Sequence, residues 1–297
     1  MKKLIIRIAE GLGNQFFMYA NGFALSKKIN YDLYIDNTSG YFKKKNQFRK
    51  YELNNFDISA RLIDNNFRYD TYSLDVKRKF KKKIDFFSSR KNFLIESTNK
   101  NKKTSYEKFK SLNFSNCLTV EGFFQSEKYF HKYRNDLLKE FKIKNNYVDL
   151  NNPLIDMLKN NNSVSICIRQ NRFSEGKLID DKKSKIFTLE TINYIKKSVI
   201  FFKKKLINPK FFIWSDDFTG IAEHFDQNNY KFIVNNKNKS LNDFYLFQFS
   251  KHFIVGPTPF HWWGAWLNQN PNKICLRPSM INPSNNINYW PDSWLSI

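Results

Sequence analysis

The sequence has few of the residues that build disulfide-stabilised or metal-bound domains. Its 297 residues include only three cysteines, Cys117, Cys167 and Cys275, which are widely spaced and form no CxxC motif. An odd number of isolated cysteines argues against a disulfide framework and a cysteine-rich zinc site, and it suits a reducing cytoplasm. The four histidines are scattered without metal-ligand spacing. We therefore expect neither a disulfide nor a metal site.

Long apolar runs are also missing. No uninterrupted apolar stretch approaches the ~20 residues that a helix needs to cross a bilayer. Residues 1–8 begin with a methionine and two lysines, and Arg7 interrupts the short apolar run that follows. They lack the apolar core and cleavage site of a signal peptide. These absences predict a soluble cytoplasmic protein, attached at most to the inner face of a membrane.

Acidic residues are scarce relative to basic ones. The chain has 27 Asp and Glu against 50 Lys and Arg, a formal net charge of +23. Such an excess favours an anionic partner: nucleic acid, a membrane surface or a phosphorylated ligand. The chain is also rich in Asn, Ile, Phe and Tyr together, whose codons, like those of Lys, are AT-rich. Genome composition therefore explains part of the lysine excess equally well.

The first half of the sequence predicts one βαβ unit and a less regular region. Its length and its 41% hydrophobic residues suffice for two domains. The expected elements are a strand at 3–8, a glycine turn at 10–14, a helix at 16–28, strands at 31–35 and 118–124, and a helix at 126–141. Residues 42–103 lack clear periodicity and predict short helices and loops. The Asn-rich residues 145–152 are the predicted linker between domains 1–150 and 151–297.

The second half alternates more regularly between strand and helix. Predicted strands are 164–168, 211–214, 231–234, 253–256 and 273–276. Predicted helices are 189–206, a short one ending near 225, 241–250 and 260–269, with Thr188 as the cap of the first. Repeated βα units indicate a parallel sheet with helices on both faces. The predicted class is α/β, with two such domains leaving a cleft between them.

Candidate ligand-binding residues follow the predicted strands. In a parallel α/β sheet, ligands bind beyond the carboxyl ends of the strands. The residues at these positions are Gly11, Gly13 and Asn14 in the first half, and Arg169, Arg172, Ser215, Asp216, Asp217, Thr258 and Phe260 in the second. Arginine forks and helix N-termini bind phosphate oxygens, and the acids could accept from sugar hydroxyls or base amines. The set therefore suits a nucleotide diphosphate.

Several segments, in this order, resemble one family through nearly the whole chain. They read EGLGNQFFMYA at 10–20, GFFQSE at 122–127, FFIWSDD at 211–217, and FHWWGAWL at 260–267, after a leucine- and aromatic-rich stretch that ends at His252. The chain resembles the α-1,2-fucosyltransferases of glycosyltransferase family 11. The first and last segments are highly specific.

The resemblance implies a GT-B-like fold, with two Rossmann-type domains whose parallel sheets face a central cleft. The acceptor would bind near domain 1–150 and the nucleotide-sugar in domain 151–297. The implied reaction is an inverting, metal-independent transfer of L-fucose from GDP-β-L-fucose, usually to the 2-hydroxyl of galactose, without a cofactor. The acceptor would be an oligosaccharide or a lipid-linked glycan, and peripheral membrane contact would suit such an acceptor.

The resemblance also implies roles for individual residues. Arg169 would stabilise the departing diphosphate, while the loop of Gly11, Gly13 and Asn14 would approach the phosphates. The remaining donor-pocket candidates are Ser215, Asp216, Asp217, Thr258, Phe260 and His261. The chain differs from the family around Arg169, with Cys167 for His, Gln170 for Arg, Asn171 for Gly and Arg172 for Asp. There Arg172 is a second candidate phosphate contact.

A general base is expected for an inverting attack, because the acceptor hydroxyl must lose its proton. Glu175, in the loop after Arg169, and Asp36, at the end of the second strand, are the candidates. Glu10 is a third, and a leaving phosphate oxygen is an alternative to any side chain. Each carboxylate could also simply be a solvated surface group.

Three other functions are compatible with parts of the sequence. The altered segment around Arg169 is compatible with transfer of another nucleotide-linked sugar. The basic charge and interleaved aromatic residues are compatible with nucleic-acid binding, although no nucleic-acid-binding motif is present, and we expect no nucleic-acid partner. A lectin-like relative would bind glycan without transferring a sugar.

Overall fold

The computed structural model describes residues 2–43, 49–96, 113–170, 172–173, 180–234, 239–284 and 286–297. The chain forms two compact units, Met1–Lys142 with Ser284–Pro291, and Ile143–Pro283 with Asp292–Ile297. The sequence-based boundary after residue 150 lies inside the second unit, and residues 284–291 join the first unit although they follow the second in sequence. The assignment of acceptor and donor roles to the two parts stays a prediction. No described helix is long and apolar enough to cross a bilayer.

The first unit is built on a parallel five-stranded sheet. Its strands are β1 (Lys3–Arg7), β2 (Asp32–Asp36), β3 (Arg61–Leu62), β4 (Lys91–Ile95) and β5 (Phe114–Glu121), in the order β3-β2-β1-β5-β4. Its helices are α1 (Leu12–Ile29), α2 (Tyr72–Asp85) and α3 (Arg134–Glu140). Helix α1 is largely buried and ends at Asn30, whose left-handed backbone lets its N–H donate to the Ser26 carbonyl. The predicted βαβ opening is confirmed.

Two predictions for the first unit were wrong. Residues 42–103 were expected to hold only short helices and loops, but they contain the fourteen-residue α2 and strands β3 and β4. Residues 126–141 were expected to form one helix, but two 3₁₀ turns precede the short α3. Phe130 interrupts helical geometry with φ −140°, and its ring is buried.

The second unit is built on a parallel six-stranded sheet. Its strands are β6 (Ser163–Ile168), β7 (Lys210–Ser215), β8 (Tyr230–Ile233), β9 (His252–Ile254), β10 (Cys275–Arg277) and β11 (Leu295–Ser296). Its helices are α4 (Leu154–Asn160), α5 (Asp181–Lys205), α6 (Lys239–Phe247) and α7 (Pro259–Leu267). The strand order β11-β10-β9-β6-β7-β8 is that of a Rossmann fold, in which the strand order reverses between β6 and β9.

Helix α5 begins earlier than the sequence pattern predicts. Thr188 was expected to cap it, but Asp180 does so by accepting from the Lys183 N–H at 2.8 Å. Thr188 instead lies inside the helix, and its hydroxyl donates to the Gln170 carbonyl at 3.2 Å. The first turn reads Asp-Lys-Lys-Ser-Lys and carries no apolar periodicity, so the pattern could not reveal it.

Apolar packing fixes the second sheet. Every residue of β6 is buried, and Ile166 of this strand belongs to the same apolar cluster as Ile195 and Phe202 of α5. The aromatic residues of α7 are buried as well: Trp262, Trp263 and Trp266 pack against one another, and Trp262 also contacts Trp294. These tryptophans therefore belong to the core.

Candidate functional site

The site is centred on the point where strand order reverses in the second sheet. The connections from β6 and β9 run to opposite sides there, which opens a crevice beyond their carboxyl ends. Arg169 directly follows β6, and Gly256, Pro257 and Thr258 follow β9. The structure thus brings the predicted Arg169 segment and the predicted Thr258 segment to one edge of the sheet.

Arg169 forms an ion pair with Asp216. Its Nε lies 3.1 Å from Oδ2 of Asp216, which follows β7, and both side chains are partly exposed. The other oxygen of Asp216 accepts from the Gln170 N–H at 3.1 Å. Asp216 therefore orients the loop that carries Arg169.

Gln170, in the loop after β6, is bonded to the loop after β7 and to helix α5, and it was not among the predicted site residues. Its Nε2 donates to the carbonyls of Asp217 at 2.6 Å and Thr219 at 2.9 Å, while its own carbonyl accepts from Thr188. Ser215 forms a local turn, since its hydroxyl donates to the Asp217 carbonyl. Ser215 and the Asp217 carbonyl thus shape the turn after β7, and their predicted donor contacts stay predictions. The substitution of glutamine for the family's arginine at position 170 was the only sequence signal for this bridge.

Arg172 lies against the loop that follows β9. It donates to the carbonyls of Pro257 and Pro283, the latter at 3.4 Å. Its guanidinium stands over the Phe187 ring at 4.9 Å, a cation–π arrangement. Arg172 therefore anchors this loop and adds a second positive charge to the edge that Arg169 occupies.

The start of α7 combines a capped helix end with a buried neutral histidine. Thr258 caps the helix by accepting from the His261 N–H at 3.3 Å. Burial, together with the charges of Arg169 and Arg172, lowers the pKa of His261 to about 3. The imidazole is therefore neutral, and its Nδ1 has no hydrogen-bond partner in the described part of the chain. Phe260 packs its ring 5.3 Å from Phe244.

Gly256 makes this packing possible. A Cβ at this position would overlap the Cys167 carbonyl oxygen and Nδ1 of His261. The end of β6, the loop after β9 and the first turn of α7 therefore approach one another so closely at Gly256 that no side chain fits there. Cys167 stands where the family has histidine, and burial raises the pKa of its thiol well above the usual range.

The glycine loop of the first unit follows β1. The strand order of that sheet reverses between β1 and β5, so the loop lies at a position that corresponds to the Arg169 segment of the second unit. Gly11 caps α1 without a side chain. Gly13 is buried in the first turn, and Asn14 accepts from Gln125 of the loop after β5 at 2.7 Å. Glu10 has a left-handed φ of 64°. The predicted phosphate contacts of Gly11, Gly13 and Asn14 stay predictions.

Of the two leading candidate bases, the structure describes Asp36. Asp36 is buried, and its Oδ1 accepts from the N–H and hydroxyl of Thr38 and from the N–H of Ser39. These contacts favour a turn-stabilising role over proton transfer. Glu175 lies outside the described residues. Glu10 directs its carbonyl to Gln15 and Tyr41.

The arrangement in the second unit is suited to anions. Two guanidinium groups and the N-terminus of α7 converge on one sheet edge, where they favour negative charge. The neutral His261 offers a nitrogen that can hydrogen-bond without adding charge. Within the described ranges, no cluster of His, Cys, Asp and Glu could hold a metal ion, and independence from metal stays a prediction.

Comparisons with known proteins identify the family. The model of glycosyl transferase family 11 matches residues 4–284. An alpha-1,2-colitosyltransferase of Escherichia coli is 29% identical, covering 100% of this chain and 99% of the relative. The O-antigen biosynthesis glycosyltransferase WbnK of Escherichia coli is 26% identical, covering 98% and 99%.

Solved structures identify the fold. The fucosyltransferase NodZ from Bradyrhizobium superposes with a TM-score of 0.51 at 14% identity, covering 89% of this chain and 92% of NodZ. This likeness and the two parallel sheets confirm the predicted GT-B-like fold. A family match over nearly the whole chain, carried by a fold of the expected class, makes this chain a member of glycosyltransferase family 11.

Proposed function

We propose that this enzyme transfers L-fucose from GDP-β-L-fucose to a glycan hydroxyl, and that this hydroxyl is the 2-hydroxyl of galactose. The observation that carries the proposal is the position of Arg169, directly after β6 at the reversal point of a Rossmann sheet, with Arg172 and His261 nearby. A diphosphate needs such fixed positive charge. The relative named as an alpha-1,2-colitosyltransferase supports the linkage.

The proposed reaction is a single displacement at the anomeric carbon. The acceptor oxygen forms a bond to C1 of the sugar while the bond from C1 to the β-phosphate oxygen breaks, so GDP leaves with the electron pair. Negative charge develops on that phosphate. Arg169 stabilises it because the guanidinium is held in place before the reaction begins. Arg172 adds to the positive potential.

The proton of the acceptor hydroxyl needs a destination. We assign it to Glu175, six residues after Arg169 in the sequence, and a β-phosphate oxygen of the departing GDP is the alternative. Asp36 is a weaker candidate because it is buried and its Oδ1 accepts from the backbone N–H groups of Thr38 and Ser39 within a turn. His261 is a poor base, because its pKa of about 3 leaves little affinity for a proton.

A second donor, GDP-colitose, is favoured by the 29% identical colitosyltransferase. Colitose is fucose without the 3-hydroxyl. A site that hydrogen-bonds this hydroxyl rejects the deoxy sugar strongly, whereas a site without such a group discriminates little. Side-by-side transfer rates from GDP-fucose and GDP-colitose therefore separate the two donors.

The first test is a thermal-shift and calorimetry panel with GDP, GDP-fucose, GDP-mannose and UDP-galactose. GDP and GDP-fucose should stabilise the parent protein. Arg169→Ala should bind GDP about 10- to 100-fold more weakly, the range expected for a charged hydrogen-bonding contact. Arg90→Ala, at an exposed position of the first unit, removes the same charge and should bind like the parent. Stabilisation by UDP-galactose alone would overturn the guanine assignment.

The second test is transfer to a galactose-terminated oligosaccharide, with the linkage of the product read by NMR. Glu175→Gln should bind GDP normally and lose most of the transfer rate. Asp36→Asn should keep the rate in the folded fraction. Full activity of the Glu175→Gln variant would rule out Glu175 as the base and assign the proton to an oxygen of the leaving phosphate.

A further inference from the structure

Helix α2 is charged on its inner face. Asp75, Arg78 and Asp85 are buried, and Arg78 donates to Asp75 at 2.6 Å and to Glu121 of β5 at 2.6 Å. Lys82 reaches Glu121 at 2.8 Å. Burial alone would raise the pKa of Asp75, but bonds from Lys43 and Arg78 hold that pKa well below its usual range. An ion network therefore joins this helix to its sheet.

Hydrogen bonds also fix the C-terminal end of α2. The carboxylate of Asp85 accepts from the N–H groups of Asn92 and Phe93 at 2.7 and 3.0 Å. The ammonium of Lys91 donates to the carbonyls of Asp85 and Phe86, both at 3.0 Å, and to that of Ser88 at 2.7 Å. The turn after the helix is therefore held in one conformation.

The outer face of α2 carries the apolar residues. Tyr72, Val76, Phe80 and Ile84 recur every fourth residue and are 72%, 65%, 64% and 55% exposed. Phe86 and Phe87 directly follow the last residue of the helix and are 78% and 86% exposed. These six exposed residues are here called the α2 stripe, and the four within the helix share one face, since positions four apart are neighbours on a helix surface. Exposed lysines flank the stripe: Lys77, Lys79, Lys81 and Lys83.

We propose that the α2 stripe docks on the surface of an anionic lipid bilayer. The aromatic and aliphatic side chains would enter the boundary between headgroups and acyl chains, roughly 5–10 Å deep. The flanking lysines would extend to lipid phosphates, each strengthening binding at low salt. The sequence predicts peripheral membrane contact without indicating which segment makes it. We assign this contact to α2 because its charged residues are buried and its apolar residues are exposed.

Charge complementarity selects lipid over the other possible occupants. A second copy of the chain would bring an equally basic stripe against the first, and like charges would repel across a two-fold interface. Nucleic acid would use the lysines and aromatic rings, but the aliphatic Val76 and Ile84 give bases nothing to pair with or stack on. An anionic bilayer satisfies both the apolar and the basic residues.

Vesicle co-sedimentation tests the proposal, with phosphatidylcholine vesicles compared to vesicles containing phosphatidylglycerol. The parent should bind the anionic vesicles at least tenfold more tightly, and high salt should weaken binding. The variant Val76→Ser/Phe80→Ser/Ile84→Ser should lose most of this binding. Its matched control is Ile186→Ser/Leu189→Ser/Ile200→Ser, which changes three similarly exposed residues of α5 and should bind like the parent.

A second pair of variants tests the charge. Lys77→Gln/Lys81→Gln/Lys83→Gln should weaken anionic-vesicle binding about tenfold or more, whereas Lys203→Gln/Lys204→Gln/Lys205→Gln should change it less. All variants should keep the parent's GDP-induced thermal shift, which shows that they are folded and keeps this test separate from the proposed donor.

Three results would overturn the proposal. One is equal loss of binding in the α2 and α5 variants. Another is retention on single-stranded RNA that the α2 variant loses while vesicle binding is unchanged. The third is a concentration-dependent dimer in sedimentation velocity that the α2 variant abolishes.

Discussion

Arg169 and Asp216 form an ion pair with Nε and Oδ2 3.1 Å apart, at the edge where we propose that the donor diphosphate binds. The two side chains are 29% and 26% exposed, and water screens such a pair so that it contributes little to stability, about 1 kcal/mol at most. Its consequence is electrostatic, because the carboxylate offsets part of the charge that an incoming phosphate would meet.

Asp216→Asn should therefore bind GDP more tightly, by up to about fivefold, which corresponds to roughly 1 kcal/mol. Asparagine keeps an acceptor for the Gln170 N–H, so the loop should keep its shape. Calorimetry at fixed ionic strength measures the change. Asp226→Asn, which removes the same charge from an exposed turn, should leave GDP affinity unaltered. Weaker binding in Asp216→Asn would instead mean that Asp216 accepts a hydrogen bond from the donor.

Glu10 provides a test of local backbone energetics. Its φ of 64° is a conformation that glycine adopts without cost. Glu10→Gly should raise the free energy of unfolding by up to about 1 kcal/mol, measured by urea denaturation. Glu10→Gln keeps the strain and removes the charge, so it should leave stability nearly unchanged. Loss of sugar transfer in both variants would make Glu10, not Glu175, the base.

Gly256→Ala should be more damaging than alanine at another glycine of the same unit. A methyl group at 256 would overlap a carbonyl oxygen and the His261 ring, so we expect a loss of about 1–3 kcal/mol in unfolding free energy. Gly220 has open space around it but a φ of 73°, so its replacement by alanine should cost only about 1 kcal/mol. Equal costs at both sites would contradict the close packing inferred at 256.

His261 predicts an acid-dependent loss of stability. Its pKa is about 3 in the folded chain and near 6.5 in an unfolded one. Between these values the unfolded chain holds a proton that the folded chain does not. The unfolding free energy should therefore fall as pH drops from about 6.5 toward 3, by up to about 1.4 kcal/mol per pH unit. Above pH 6.5 this group should contribute no slope.

Denaturation curves of the parent and His261→Gln between pH 7 and 4.5 measure this contribution as a difference. The variant should have the shallower pH dependence. Burial also lowers the pKa of His252. This residue is present in both proteins, so its contribution cancels in the difference between the two curves. His131→Gln, at an exposed position, should follow the parent curve. Identical slopes for the parent and His261→Gln would show that His261 exchanges protons freely in the folded state.

Several elements were predictable because local sequence and burial agree. Strand β6 is a short apolar run that is buried on both faces, and β7 ends in the Ser215–Asp216–Asp217 turn that the sequence marks. By contrast, α2 escaped prediction because its inner face is charged and its outer face is apolar. Periodicity analysis assumes the opposite arrangement. The prediction for helix α5 began too late, at residue 189 instead of Asp181, because the first turn of the helix is entirely polar.

The same division applies to the candidate site. The motifs alone were sufficient to assign the family and to select Arg169, Arg172, Thr258 and His261. Only the tertiary structure paired Arg169 with Asp216, made Gln170 a bridge between loops, and buried His261 within reach of the charges of Arg169 and Arg172. These relationships join residues from different strand ends, far apart in sequence. The sequence by itself thus determined the strands, the family and the kinds of residue at the sheet edge. Their pairing and pKa values depend on distances and burial, which arise only when the separate strands assemble into one sheet.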